Sequence, residues 1–205
     1  MNSEDLSPNT DPEFYLGKCE VIDWQHTAIL RCAKTFRFSE EEQTARACFE
    51  FVRDEISHSY DHRLNPVTCK ASDVLKHRTG YCYAKSHLLC ALLRANGISA
   101  GLCYQRLSID GEGPPFCLHG LNAIFLKEFG WYRVDARGNK LGVNSRFSPP
   151  VESLAFKTNL IGERDFDRIW ASPHPLVVRC LTEFRDWKEV SRNLPDVSDE
   201  ASMSD

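Results

Sequence analysis

One cysteine in this chain stands where a nucleophile would be placed. In Arg78-Thr79-Gly80-Tyr81-Cys82-Tyr83-Ala84, Cys82 falls between a glycine turn and the start of a helix. Free backbone N–H groups and the macrodipole at a helix N-terminus favour the thiolate, the form of cysteine that attacks. Such a thiolate needs a base that later returns a proton to the leaving group, and a third group that holds the base in place. His119 on one short β-type run and Asp135 at the end of the next supply those residue types. Singly, each has a plainer reading: a buried structural cysteine, a strand histidine bonded to backbone, an aspartate in a strand-end turn. In this combination they are the parts of a Cys-His-Asp triad.

The remaining polar candidates are weaker. The Cys82 backbone N–H is a natural donor to an oxyanion at a helix start, and Gln105 and Gln25 are the side chains considered for a second donor. His87, at i+5 on the Cys82 helix, points well round from the nucleophile and reads as structural or exposed. His58, His62, His77 and His174 sit in polar surroundings and read as surface residues. The nine cysteines include no C-x-x-C pair, so neither a structural zinc nor any other cofactor is expected. Apart from Cys82 they read as small buried hydrophobes of a reducing compartment. Tyr81, Tyr83, Tyr104, Trp131 and Tyr132 are aromatic groups for a cleft or for core packing.

The elements that must position the triad can be read from period and punctuation. Ser39 followed by Glu42 fits a capping box, after which Ala45, Cys48, Phe49, Val52 and Ile56 form an apolar stripe ending near Ser57. Trp24 to Phe36 also reads as helical, and Ser72 or Asp73 can cap a short helix through His77. The helix from Cys82 carries Leu88, Leu89, Ala91, Leu92 and Leu93 and stops at Asn96-Gly97; apolar on nearly every side, it reads as central and buried. Ile98 to Leu107 reads as a strand, Asp110 to Pro115 as a loop, and Leu118 to Leu126 with Trp131 to Asp135 as a hairpin. A last helical stretch covers Pro175 to Trp187. Helices first and strands second imply an α+β fold with an antiparallel sheet.

Strand parity adds a geometric condition. Residues directly opposite in an antiparallel pair share a face, and facing alternates along each strand. For His119 to meet Asp135, paired positions must sum to an even number, as with Leu126 opposite Gly130. That excludes a two-residue turn and requires an odd-length connection or a bulge between Leu126 and Trp131, with Gly130 available for a left-handed position.

The formal net charge is −4 and no Lys/Arg run occurs, which argues against nucleic-acid binding. Apolar runs of only a few residues argue against a membrane span. Met1 to Pro12 lacks the pattern of a signal peptide, so a cytoplasmic location is expected.

These segments resemble the transglutaminase-like superfamily. The resemblance rests on Gly80-Tyr81-Cys82 running into Ala91-Leu92-Leu93-Arg94-Ala95-Asn96-Gly97-Ile98, then His119, then Gly130-Trp131-Tyr132-Arg133-Val134-Asp135. Upstream, Phe51-Val52-Arg53-Asp54-Glu55-Ile56 followed by Tyr60 looks like the family's pre-catalytic helix. It implies a cysteine-proteinase-like core with helices packed on an antiparallel sheet, Cys82 as nucleophile at the N-terminus of the central helix, His119 as base and Asp135 as orienter. It also implies acyl transfer from a peptide or protein amide to water or to an amine. Tyr83 stands where true transglutaminases commonly have Trp, and neither an acidic calcium loop nor the paired zinc cysteines of peptide N-glycanases are present. Hydrolysis of a peptide, isopeptide or other amide is the leading expectation. The alternatives are an acyltransferase, of the transglutaminase or N-acetyltransferase type, and a non-catalytic binding module on the same core. The expected organisation is a disordered segment 1–12, a single catalytic domain 13–194 and a disordered acidic tail 195–205.

Overall fold

The computed structural model describes residues 11–199. After a 3-10 turn at Pro12–Leu16, the elements are α1 (Thr27–Thr35), α2 (Glu41–Glu55), β1 (Ser57–His58), α3 (Ser59–His62), α4 (Ala71–His77), β2 (Thr79–Gly80) and α5 (Cys82–Ala95). They continue with β3 (Ala100–Ser108), β4 (Phe116–Leu126), β5 (Gly130–Val134), β6 (Arg164–Asp165), α6 (Pro175–Glu183) and α7 (Trp187–Arg192). The fold is α+β, with a four-stranded antiparallel sheet in the order β5-β4-β3-β6.

The apolar all-round character of the Cys82 helix has its counterpart in burial: every residue of α5 from Cys82 to Arg94 is buried. Helices α1, α2 and α4 and strands β3 and β4 surround it. Its ionisable residues are buried with partners. Lys85 donates from Nζ to the carbonyls of Arg53, at 3.2 Å, and Ile56, at the C-terminal end of α2, where helix carbonyls lack partners. Burial, with the nearby Arg137 charge, pushes its pKa down to about 7. His87 meets the Cys69 carbonyl through Nδ1 at 2.8 Å, and burial pushes its pKa down to about 4, so this histidine is structural.

Several boundaries differ from the sequence reading, each for a local reason. No capping box forms at Ser39. Glu40 is the N-cap of α2, and Thr44 Oγ1 ties the approach instead, accepting from the Phe38 N–H at 2.9 Å and donating to the Glu40 carbonyl at 3.1 Å. The Trp24–Phe36 segment is helical only from Thr27, where His26 Nδ1 caps the Ala28 N–H. The last stretch splits at Phe184, which is extended, and Asp186 restarts the chain as α7 by accepting from the N–H groups of Lys188 and Glu189, both at 2.8 Å.

Pro195 to Val197, whose surroundings suggested a solvated tail, are docked. The Leu118 N–H donates to the Pro195 carbonyl at 2.7 Å, Arg106 grips Asp196 with two bonds of 2.6 and 2.7 Å, and Val197 is buried. Residues 1–10 and 200–205, the greater part of the two segments expected to be disordered, lie outside the described residues.

Two features of the sheet set up the site. On β4 the even-numbered face meets α5: Asn122 donates to the Ser86 carbonyl at 3.0 Å, and a Cβ on Gly120 would lie 3.1 Å from the Tyr83 Cα. Glycine at 120 is what lets the first turn of α5 lie on the strand. The odd-numbered face carries Leu121 and Ala123 into a smaller cluster with Cys103, Trp131, Leu154 and Ile169. Strand β5 stops at Val134, opposite Asn122, so the Phe116–Leu121 end of β4 has no strand beside it on that edge.

A second, minimal ladder ties the end of α2 to the turn before α5. Strands β1 and β2 run parallel with Ser57 opposite Thr79 and His58 opposite Gly80. The Ser57 N–H donates to the Arg78 carbonyl at 3.0 Å, and the Ser59 and Thr79 hydroxyls meet at 3.0 Å.

Candidate active site

Leu126 pairs with Gly130, which leaves Lys127 to Phe129 as a three-residue connection. Gly130 takes φ +76°, a conformation open to glycine because it has no Cβ. The odd count puts His119 and Asp135 on one face, as parity requires, and His119 Nε2 donates to Asp135 Oδ2 at 2.7 Å. Asp135 is fully buried. The Arg137 N–H donates to its Oδ1 at 3.0 Å and the Ala155 N–H to its Oδ2 at 3.3 Å, so the carboxylate is clamped. The Phe156 ring stands edge-on to the imidazole at 5.0 Å between centroids.

With Nε2 on Asp135, the other ring nitrogen serves the hydrogen bond between His119 and Cys82. Burial opposes charge on His119. The Asp135 carboxylate, the Cys82 sulfur and the hydrogen bonds to both outweigh it and push the pKa up to about 10. Burial likewise opposes charge on Asp135, yet His119 and the two backbone N–H donors hold its carboxyl below the usual range.

His58 is not the surface residue its neighbours suggest. It is 8% exposed, and its Nε2 accepts the Cys82 backbone N–H at 3.2 Å. Its ring meets the Tyr81 ring edge-on at 5.5 Å between centroids. His58 Nδ1 is buried without a hydrogen bond among the described residues, and the facing acid, Asp61, is 3.7 Å away. Asp61 is held instead by Arg137, at 2.7 and 3.0 Å, and by Lys140 at 2.7 Å. Burial, reinforced by the Arg137 charge and resisted by Asp61, holds the His58 pKa well below 6.5. The signal that finds it is tertiary, the register of His58 with Gly80 two residues before Cys82. His174 is also buried, capping α6 by accepting the Leu176 N–H at Nδ1, whereas His62 and His77 are exposed.

Cys82, His58 and His119 line one cleft of about 800 Å³, walled in part by Tyr60, Tyr81, Tyr83, Ile109 and Phe156. Of the aromatic candidates, Tyr81 and Tyr83 reach it, while Tyr104 and Tyr132 are core. Neither glutamine proposed as an oxyanion donor lines it. Gln105 donates to Asp165 at 2.9 Å, and Gln25 accepts from Lys18 on an exposed surface. Cys117 shares the cleft, but burial pushes its thiol up to about 12.

The sequence model described as the transglutaminase-like superfamily matches residues 33–136. The chain belongs to the transglutaminase-like superfamily. The transglutaminase-like match takes in Cys82, His119 and Asp135, while the segment after Ala136 adds the Ala155 and Phe156 contacts that close over the His119–Asp135 pair. Among solved structures, a Cytophaga hutchinsonii protein assigned as a cysteine protease is 19% identical with a TM-score of 0.48, over 63% of this chain and 43% of that one. The periplasmic domain of TgpA from Pseudomonas aeruginosa is 19% identical with a TM-score of 0.45, over 62% of this chain and 48% of that one. The match thus spans less than half the length of either. No curated protein matches the chain. Among the described residues, no helix is long and apolar enough to cross a membrane.

Proposed function

We propose that this protein is a cysteine hydrolase that cleaves a peptide, isopeptide or other amide bond through a thioester on Cys82. His119 serves as acid and base, and Asp135 orients it. The observation that carries this reading is the buried 2.7 Å bond from His119 to Asp135, with the imidazole's other side turned to Cys82. Membership of the superfamily supports the same chemistry. In the first half-reaction the Cys82 sulfur bonds to the amide carbonyl carbon, and the proton held on His119 passes to the leaving nitrogen as the C–N bond breaks. In the second, His119 takes a proton from water, the oxygen attacks the thioester, and the sulfur leaves with the acid formed. The aromatic and apolar walls of the cleft suit a polypeptide segment as substrate. All nine cysteines are free thiols, which fits a reducing, cytoplasmic setting. We read residues 13–194 as the catalytic unit.

Turnover is to be sought with an amide and isopeptide library after pull-down with a thiol-reactive probe. On any substrate found, Cys82→Ala is expected to remove activity by about four orders of magnitude or more, because the covalent route is gone. A variant that folds and keeps wild-type turnover overturns the reading. Adding a primary amine separates the branches, since its incorporation into product marks acyl transfer.

A further inference from the structure

His58 stands outside the triad, yet it is the side chain bonded to the Cys82 amide. We propose that His58 is a catalytic residue, its Nε2–H joining the Cys82 N–H to hold the substrate oxygen as the carbonyl becomes tetrahedral. The inference rests on the Cys82 reading above and adds the group that reading lacks.

The two nitrogens lie 3.2 Å apart. An oxygen placed about 2.9 Å from each is within the spacing at which donors stabilise an oxyanion, and it meets the Cys82 N–H, now directed at Nε2, once the imidazole shifts off that line. Both nitrogens belong to residues lining the cleft on which Cys82 opens, and neither glutamine does. In the free enzyme Nε2 accepts the amide hydrogen, so the single proton of the neutral ring is on Nδ1. There it faces Asp61 at 3.7 Å, beyond hydrogen-bond length, and Nδ1 has no other partner among the described residues. Transfer of that proton from the buried Nδ1 to Nε2, by water admitted as the ring shifts on substrate entry, therefore breaks no Nδ1 hydrogen bond. It leaves charge and proton count unchanged, and it converts an acceptor into a donor. The amide–imidazole bond given up is replaced by two bonds to a developing negative charge, which are stronger.

The surroundings hold the His58 backbone in place and its ring uncharged. Register with Gly80, the edge of Tyr81 and the anchoring of the Arg53 and Ile56 carbonyls by Lys85 fix the backbone from which His58 projects. Burial, Arg137, Lys85 and His119 all oppose a second proton, against the pull of Asp61. A neutral N–H stabilises the oxyanion by hydrogen bonding and keeps its proton.

The test compares His58→Leu, which has no donor, with His58→Gln, which retains an N–H, and reads amide turnover separately from alkylation of Cys82 by iodoacetamide. Alkylation displaces iodide from carbon and forms no oxyanion. His58→Leu is expected to lose about 10²–10³ in kcat with little change in KM, to keep its alkylation rate, and to regain at least part of the loss as His58→Gln. Wild-type turnover in a folded His58→Leu, or a parallel fall in turnover and alkylation, overturns the proposal. Failure of wild-type Cys82 to be alkylated ahead of the other thiols sinks the triad reading instead. Should His58→Leu not fold, the wild type with a peptide aldehyde decides. The hemithioacetal oxygen is expected to move the His58 Nε2 resonance from the unprotonated to the protonated range, and an unmoved resonance overturns the proposal.

Discussion

Two histidine–aspartate pairs converge on Cys82, one at its sulfur and one at its backbone nitrogen, and they settle in opposite protonation states. His119 is pushed up to about 10, whereas His58 is held well below 6.5. Both rings are buried, so burial does not separate them. Nor does distance alone: at an effective dielectric near 20, unit charges at 2.7 Å and 3.7 Å differ by about 2 kcal/mol. What separates them is that His119 is bonded to its acid and to the Cys82 sulfur, whereas His58 has neither bond, together with the rest of each acid's company. Apart from His119, Asp135 is bonded to uncharged backbone N–H groups, so its charge remains available to an imidazolium. Asp61 already carries Arg137 and Lys140, and the excess positive charge faces His58. A His–Asp pair becomes a base poised with its proton or a neutral hydrogen-bonding group according to what else the carboxylate holds.

The comparison breaks most visibly at Asp135. Asp135→Asn is expected to lower turnover about 10²–10⁴-fold, since the orienting charge is lost while the shape remains. The His119 midpoint is expected to fall far below 10 in the same variant, and a histidine resonance unchanged from wild type would contradict the assignment. In the wild type, His119 is expected to titrate near pH 10 while His58 stays neutral as pH falls through 6.5.

Stability carries the same contrast with a definite sign. Because its folded pKa lies above the ordinary histidine value of 6.5, the His119 pair contributes stability that is full below that pH and is lost as pH rises through about 10. Lys85 acts oppositely. Its pKa of about 7 lies below the ordinary lysine value of 10.5, so its burial penalty is relieved as pH rises across that interval. Urea unfolding of wild type and Asp135→Asn at pH 6 and pH 10 isolates the His119 part. The gap between them is expected to be wider at pH 6, and an equal gap at both would remove the ion pair from the account.

A smaller effect sharpens the other side. Arg137→Met combined with Lys140→Met frees the Asp61 charge and is expected to raise the His58 midpoint toward 6.5, read as a shift in the pH at which its ring resonance titrates. No shift of the His58 resonance would mean that burial alone keeps it neutral. At the bottom of the scale, Gln25→Ala, on an exposed surface away from the cleft, is expected to leave turnover within about twofold, as substitutions there rarely exceed ±0.5 kcal/mol.

The legible features were those with short-range causes. The glycine turn, the helix start at Cys82 and the buried character of α5 follow from residues within two helical lengths of one another. Capping at Ser39 was misread because Thr44 competes for the same backbone groups, a choice that depends on how the chain approaches α2. His58 was misread because a two-residue strand has no alternation to betray it, and its polar neighbours His58-Ser59-Tyr60-Asp61 look like solvent-facing chain.

By itself the sequence determined the α+β order and the candidate triad, and it set the condition, an odd-length turn or a bulge, under which His119 and Asp135 share a face; the three-residue turn that meets it belongs to the structure. Only the tertiary structure decided which histidine carries a proton and which touches the Cys82 amide. Those depend on burial, on the Arg137 charge brought from beyond β5 to the Asp61 beside His58, and on the β1–β2 ladder that sets His58 against Gly80. Electrostatic energies are set by distances through space, and no local pattern in the chain encodes them.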